Sequence, residues 1–323
     1  MTLIASAGAS APLGAEGLTD DYAALRSGVG VVEEGRDVVR VAGPDALSYL
    51  QGQCSQDVSV LAVGSSADAL LLTPQGKLEA LVRLNRTGDE EIYLDVDAGF
   101  GAAVVARLGR FKLRVKADIE SVDWRNVAVR GPGAAALADS FAGAPGTAIA
   151  APYSWGGVIG FDLLGPGPEI QVPIRRCGVE ASEAVRIEAG IPRMGVELDE
   201  RTIAAEAGLL DRCVSFTKGC YTGQELVARL DSRGNKVARR LRAVVVDPDQ
   251  GDGWILRPGA TVSVADKAVG RLTSVAWSPG LRTPVALAYL HRDVDPPLDV
   301  LVEVDGSANA TVRARALTLP LDI

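Results

Sequence analysis

The chain has 323 residues, of which 47% are hydrophobic and 23% charged, a composition of folded rather than disordered proteins. Its 33 basic and 41 acidic side chains give a net charge of −8, which argues against general binding to nucleic-acid phosphates. With one histidine, His291, the chain has no zinc site with two histidine ligands, and any Ser-His-Asp or Cys-His catalytic pair has to include that residue.

The cysteines and the apolar pattern predict a soluble cytoplasmic protein with reduced thiols. Its four cysteines form no C-x-x-C pair and are too few for a disulfide scaffold in a chain of this length. The chain contains no run of 18 apolar residues, so the sequence predicts no membrane span. The first basic residue is Arg26, so the N-terminus lacks the positive start of a secretory signal.

The first half of the chain is predicted to begin with a flexible tail over residues 1–17 and to continue with alternating strands and helices. The pattern predicts a strand over Asp37–Ala42 and a helix that begins after Asp45 and ends near Gly52. A three-stranded meander and a second helix follow, over Ala69–Thr73, Leu78–Leu84, Glu91–Val96 and Gly101–Leu108.

A weak internal repeat indicates a duplicated strand–helix unit. The residues Val41–Ala46 (VAGPDA) resemble Val129–Ala134 (VRGPGA), and each stretch has a predicted strand before it and a predicted helix after it. Two such units are expected to pack around a shared core.

The second half changes from a helix to short alternating strands. Val179–Ala189 is predicted to be a helix that ends at Gly190 and Pro192. From Arg239 onwards, six strands recur at the spacing of a small barrel or sandwich: Leu241–Val246, Ala260–Val264, Gly270–Trp277, Val285–Tyr289, Asp299–Val304 and Ala310–Ala316. We therefore predict one domain over residues 18–237 and a C-terminal β domain over residues 238–323.

The segment Lys218–Glu225 (KGCYTGQE), called the motif loop below, is the strongest candidate for chemistry. Cys220 lies between Gly219 and Gly223, and glycines permit tight turns and close approach of the backbone to a ligand. A nearby lysine and a following helix start are expected to favour the reactive thiolate. The alternative interpretation is a buried structural cysteine in a strand-to-helix connection.

The motif loop resembles the K-G-C-Y-x-G-Q-E signature of the YgfZ family, folate-binding relatives of the glycine-cleavage T-protein, an aminomethyltransferase. Further segments are similar to the family's patterns in the expected order: Val41–Val58, Leu72–Lys77 (LTPQGK), Arg186–Pro192 (RIEAGIP) and Glu206–Leu209 (EAGL). The resemblance implies an α+β aminomethyltransferase fold with duplicated strand–helix units and a C-terminal all-β barrel.

The resemblance also implies a function, a cofactor and partners. The expected function is to assist assembly or repair of iron–sulfur clusters in client enzymes, with tetrahydrofolate or a derivative as cofactor. The expected partners are folate and iron–sulfur client or assembly proteins, without nucleic acid or membrane. No stably bound metal is expected, because the scattered cysteines lack the ligand spacing of a cluster.

Site roles follow from the same resemblance. Cys220 and Lys218 are the catalytic candidates, and Glu188 is expected to bind the pterin ring, whose adjacent N–H groups suit one carboxylate. Arg193, Arg229 and Lys218 are candidates for the glutamyl tail of folate. The other cofactor-binding candidates are Tyr221 from the motif loop and two possible pocket acids, Asp57 and Glu79.

One departure from the T-proteins bears on the reaction. They carry an aspartate pair after the glycine turn, whereas Glu79 and Ala80 follow Gly76 and Lys77 here. Aminomethyl transfer is therefore disfavoured. Two alternatives to the cluster role stay open: a folate-dependent one-carbon transferase, and a folate-binding module that has lost its chemistry. Because folate is an anion and the chain is acidic, the pocket is expected to be a local basic patch.

Overall fold

The computed structural model describes residues 15–142, 144–250, 254–306 and 311–323. The predicted flexible tail lies outside the described residues up to residue 14, and residues 15–17 form the first turn of helix α1. The elements that follow α1 (Ala15–Ser27) are β1 (Gly30–Val32), β2 (Arg36–Ala42), α2 (Ala46–Gln53), β3 (Ser66–Leu72), β4 (Leu78–Arg86), β5 (Glu91–Asp97), α3 (Gly101–Arg110) and β6 (Asp118–Val122).

Five of these strands form an antiparallel sheet in the order β3-β4-β5-β2-β6. The predicted meander is confirmed as β3, β4 and β5. The predicted helices after Asp45 and at Gly101 are confirmed as α2 and α3.

A second five-stranded sheet has the order β10-β1-β7-β9-β8. It is built from β1 and from β7 (Arg125–Arg130), β8 (Ile149–Trp155), β9 (Val158–Gly165) and β10 (Arg175–Arg176). Between β7 and β8 lie a 3-10 helix, Pro132–Leu137, and the short helix α4 (Ala138–Ala142). Helices α5 (Val179–Glu188), α6 (Leu210–Cys213) and α7 (Gln224–Asp231) follow, and α5 confirms the predicted helix.

The two sheets contain the repeated unit that the sequence indicated. In each, a strand ends at a Gly-Pro turn, a helical segment follows, and a hairpin completes the unit. A Cβ at Gly43 would lie 2.5 Å from the backbone oxygen of Lys116, and one at Gly131 would lie 2.5 Å from that of Gly28. Both turns have positive φ, so glycine is required at the same point of each copy.

The C-terminal part is a closed six-stranded barrel in the order β11-β14-β13-β12-β15-β16. Its strands are β11 (Arg239–Val246), β12 (Thr261–Val264), β13 (Lys267–Ser278), β14 (Thr283–His291), β15 (Leu298–Glu303) and β16 (Thr311–Leu317). Alternation explains the closure: in β16 the side chains of Val312, Ala314 and Ala316 are buried, and the arginines between them are exposed. All six predicted strands are present.

Candidate functional site

A cavity of about 380 Å³ lies where the two sheets and α5 meet. Its volume is in the range of small-molecule sites. Side chains from β3, β4, β7, β8, β9 and α5 line it, together with the β1–β2 connection and residues 191–194. The duplicated units therefore face one another across a central pocket.

Charged side chains of both signs line this cavity in equal number. They are the five arginines Arg36, Arg83, Arg130, Arg186 and Arg193, and the five acids Glu33, Glu34, Asp68, Asp97 and Asp162. The prediction of a basic patch is therefore wrong for this pocket, because each of its arginines forms an ion pair with a carboxylate.

Arg83 is at the centre of a buried ion network on the cavity wall. Its guanidinium lies 2.9 Å from Asp95 Oδ2 and 2.5 Å from Asp162 Oδ2, and Arg130 lies 2.7 Å from Asp162 Oδ1. Burial alone would raise the pKa of the Asp162 carboxyl, but the charges of Arg130 and Arg83 more than offset it and hold that pKa well below its usual value. Asp162 is therefore ionised at neutral pH.

Two aromatic side chains form another part of the wall. Tyr153 and Trp155 lie two residues apart on β8, so both project from the same face of the strand. The guanidinium of Arg130 lies 3.8 Å from the centre of the Tyr153 ring, and that of Arg212 lies 4.3 Å from the centre of Trp155. The cavity thus offers flat apolar faces beside charged groups.

Sequence reasoning missed these wall residues, although a signal was present. Asp162 interrupts a strand with no other charged residue, Arg83 follows the apolar run Ala80–Val82, and Tyr153 and Trp155 share one strand face just before a Gly-Gly turn. Charged residues at inward positions of a strand need partners, so they mark a site or a buried ion pair.

Glu188, the expected pterin ligand, is buried away from the cavity. Its side chain is 0% exposed, and its two oxygens accept hydrogen bonds from Tyr22 Oη at 2.9 Å and from Ser278 Oγ at 2.6 Å. Arg26 lies 3.6 Å away, and burial raises the pKa of the Glu188 carboxyl. The carboxylate joins α1, α5 and the barrel, and its pterin role stays a prediction.

The three cations expected at the glutamyl tail lie in different places. Arg193 lines the cavity, is 42% exposed and pairs with Glu183 at 3.0 Å. Arg229 is exposed in the last turn of α7, and it is not among the residues that line the cavity. Lys218 does not line the cavity either.

Lys218 caps the chain that leaves α2. Its Nζ donates to the backbone oxygens of Gln51 at 2.7 Å, Cys54 at 2.9 Å and Gln56 at 2.7 Å. Burial lowers the pKa of the Lys218 ammonium. The Tyr221 ring is half-buried, with its centre 5.2 Å from Nζ. The ammonium is thus occupied by three carbonyls, and its catalytic role stays a prediction.

Cys220 is exposed, whereas Cys54 and Cys213 are buried and Cys177 is half-buried. The motif loop is anchored on both sides of the thiol, by Lys218 before it and by Thr222 N, which donates to the backbone oxygen of Gly52 at 3.1 Å. No residue of the motif loop is among those lining the cavity. In the described part of the chain, no group of three or more His, Cys, Asp or Glu side chains is placed to hold a metal.

The two expected pocket acids do not line the cavity. Asp57 Oδ1 accepts from Gln51 Nε2 and from the backbone N of Ser59, both at 3.0 Å, and the bonds from Ser59 hold the pKa of the Asp57 carboxyl below its usual value. Glu79 forms an ion pair with Arg107 on α3.

Comparison with known proteins assigns both parts of the chain to one class. Residues 12–159 match the GCVT N-terminal domain, and residues 239–321 match the glycine cleavage T-protein C-terminal barrel domain. The chain therefore carries both domains of T-protein-like proteins. It has the mixed α+β aminomethyltransferase fold with a closed C-terminal barrel, as the motifs implied.

The similar proteins include aminomethyltransferases. An uncharacterized protein of Haemophilus influenzae is 30% identical over 200 residues, which are 61% of this chain and 66% of that protein. An aminomethyltransferase of Thermus thermophilus is 27% identical over 334 residues, covering 94% of this chain and 90% of the relative. The crystal structure of aminomethyltransferase T from Bartonella henselae shares the fold, with a TM-score of 0.78, 21% identity and coverage of 94% and 89%.

The described helices include none that is long and apolar enough to cross a membrane.

Proposed function

We propose that the chain binds a reduced folate in the central cavity and, as a protein of the YgfZ branch, assists assembly or repair of iron–sulfur clusters through Cys220. The observation that carries the folate part is the cavity itself, which combines the Tyr153 and Trp155 rings with carboxylates between the two halves of a T-protein-like fold. The KGCYTGQE string supports the choice of branch.

The residues of the cavity fit the chemistry of a folate. A pterin is a flat ring with N–H donors, which suits aromatic faces and the carboxylates of Asp68 and Asp162. The carboxylates of the tail need a cation near solvent, and Arg193 is partly exposed at the cavity. When bound, a reduced folate supplies the nitrogen atoms that carry a one-carbon unit.

The exposed thiol suits a macromolecular partner. Cys220 is exposed on an anchored loop, and it is not among the residues that line the cavity. We propose that a client protein meets the thiol from outside while folate occupies the interior.

Folate-dependent one-carbon transfer is the second candidate function, favoured by the similarity to aminomethyltransferases along 94% of the chain. It needs an acid at the bound folate. The two acids that the sequence offered, Asp57 and Glu79, are engaged outside the cavity, so the acid would have to be one that lines it, such as Asp68 or Asp162.

Calorimetry with 5-formyltetrahydrofolate tests folate binding. We expect saturable binding, and Trp155→Ala should weaken it about tenfold, the effect of roughly 1.4 kcal/mol of ring stacking. Trp124→Ala is the matched control, because Trp124 stacks on Tyr93 at 4.5 Å and is not among the cavity-lining residues. Absence of heat with the wild-type protein would contradict folate binding.

Complementation of a deletion strain tests the cluster role. The wild-type gene and Cys177→Ala should restore the activity of iron–sulfur enzymes, and Cys220→Ala should not. Full rescue by Cys220→Ala would remove the thiol from the function.

A further inference from the structure

Gln56 connects the cavity wall to the motif loop. On one side, its backbone oxygen accepts from Lys218 Nζ at 2.7 Å. On the other, its side-chain Nε2 donates to the backbone oxygens of Asp68 and Arg212, both at 3.4 Å. One residue thus contacts the anchor of the motif loop, the cavity-lining residue Asp68 and Arg212 outside the cavity.

Arg212 supports two side chains of the wall from outside the cavity. Its Nε and Nη2 each lie 2.5 Å from Asp68 Oδ2, and its guanidinium covers the Trp155 ring at 4.3 Å. Asp68 and Trp155 line the cavity, whereas Arg212 is not among the lining residues. Among the described residues, no hydrogen-bond donor is found for Asp68 Oδ1, so this oxygen can accept from a ligand.

Ser55 forms a second, buried link between the same parts. Its Oγ donates to the backbone oxygen of Cys213 at 2.5 Å and accepts from the backbone N of Leu70 at 2.8 Å. The strand that carries Asp68 and the segment that carries Arg212 are therefore held together through the residues just after α2. Buried hydrogen bonds of this kind move as a unit, because breaking one leaves unpaired polar groups.

We propose that Arg212 couples occupancy of the cavity to the mobility of the loop that carries Cys220. The inference rests on the proposed folate binding. A ligand that stacks on Trp155 and donates to Asp68 immobilises both side chains that Arg212 holds. The restriction passes through Gln56 to Lys218, so the motif loop moves less and the Cys220 thiol reacts more slowly when folate is bound.

Alkylation of Cys220 by iodoacetamide, followed by peptide mass mapping, tests this coupling. Saturating 5-formyltetrahydrofolate should slow the wild-type reaction about fivefold or more, an ordinary strength of coupling between sites. In Arg212→Gln the ratio of rates with and without folate should fall to near one. Arg201→Gln should keep the wild-type ratio, since Arg201 is 83% exposed and pairs with Asp199 outside the cavity. Cys177, mapped in the same digest, serves as an internal control.

Calorimetry on the same samples separates the two levels of the proposal. If folate binds to the wild-type protein but leaves the rate of Cys220 alkylation unchanged, the coupling alone is overturned. It is also overturned if Arg212→Gln keeps the wild-type ratio of rates with and without folate. Absence of folate binding would overturn the proposed function and this inference together. If Arg212→Gln fails to fold, Gln56→Ala breaks the next step of the connection, the hydrogen bonds from Gln56 Nε2 to the backbone oxygens of Asp68 and Arg212. This variant leaves the support of Trp155 unaltered, and the ratio should again fall to near one.

Discussion

At the scale of single residues, Lys218 shows how a motif side chain can support the backbone around the candidate thiol. The end of a helix leaves backbone carbonyls without partners, and an ammonium group has three N–H donors. Lys218 gives these to the oxygens of Gln51, Cys54 and Gln56, in and just after α2. The lysine thereby fixes the starting position of the loop that presents Cys220.

Lys218→Met should lower the free energy of unfolding by about 2–3 kcal/mol, because hydrogen bonds to a charged group are lost and carbonyls are left unpaired. Urea denaturation measures this change. Cys220→Ser and the exposed control Lys236→Met should each stay within about 0.5 kcal/mol of the wild-type protein. Wild-type stability of Lys218→Met would show that the three contacts do not support the fold.

At the scale of elements, the motif loop and the β3–β4 turn pack together through glycines. Gly223 has a φ of +83°, and a Cβ there would lie 2.5 Å from the backbone oxygen of Thr73. Across the contact, a Cβ at Gly76 would lie 2.5 Å from Leu226 Cβ. Both positions therefore need glycine for conformation and for space, whereas a Cβ at Gly219 would meet nothing within 4 Å.

Gly223→Ala should destabilise the protein by about 2–4 kcal/mol, from left-handed backbone strain together with overpacking. Gly219→Ala, at the other glycine of the same loop, should change stability by less than about 0.5 kcal/mol. Thermal or urea unfolding of the pair gives the comparison. Equal effects of the two substitutions would contradict the packing described here.

The meander, helices α2, α3 and α5 and the barrel strands were predictable from the sequence. The wall of the cavity was not, for a physical reason. Strands such as β16 reveal themselves through alternation within seven residues, so local pattern is enough. The cavity instead brings together Asp68, Trp155 and Arg212, which are far apart in the chain and meet only after the sheets pack. Glu188 was chosen by motif, and packing of α1 against α5 directs its carboxylate to Tyr22.

At the scale of the whole molecule, an ion network joins the two halves of the duplicated fold. Arg83 on β4 of the first sheet pairs with Asp162 on β9 of the second, and Arg130 on β7 pairs with the same carboxylate. Removing one member of a buried pair leaves an uncompensated charge, which costs far more than the loss of a surface pair. The position of the sheets across the cavity therefore depends on these charges.

Arg83→Met should lower the free energy of unfolding by about 3–5 kcal/mol at neutral pH, whereas Arg201→Met, in an exposed pair, should leave it almost unchanged. The difference between wild type and Arg83→Met should depend on pH with a defined sign. Burial alone would raise the pKa of the Asp95 carboxyl, but the charges of Arg83 and Arg36 hold it below its usual value. The pKa of Asp162 is lowered in the same way by Arg130 and Arg83. The stabilisation is therefore present above the unfolded-state pKa of about 4 and is lost as the pH falls through the lower pKa of the folded state. Urea titrations between neutral and strongly acidic pH measure this difference, and a difference that stays constant on acidification would show that the network does not stabilise the fold through its charges.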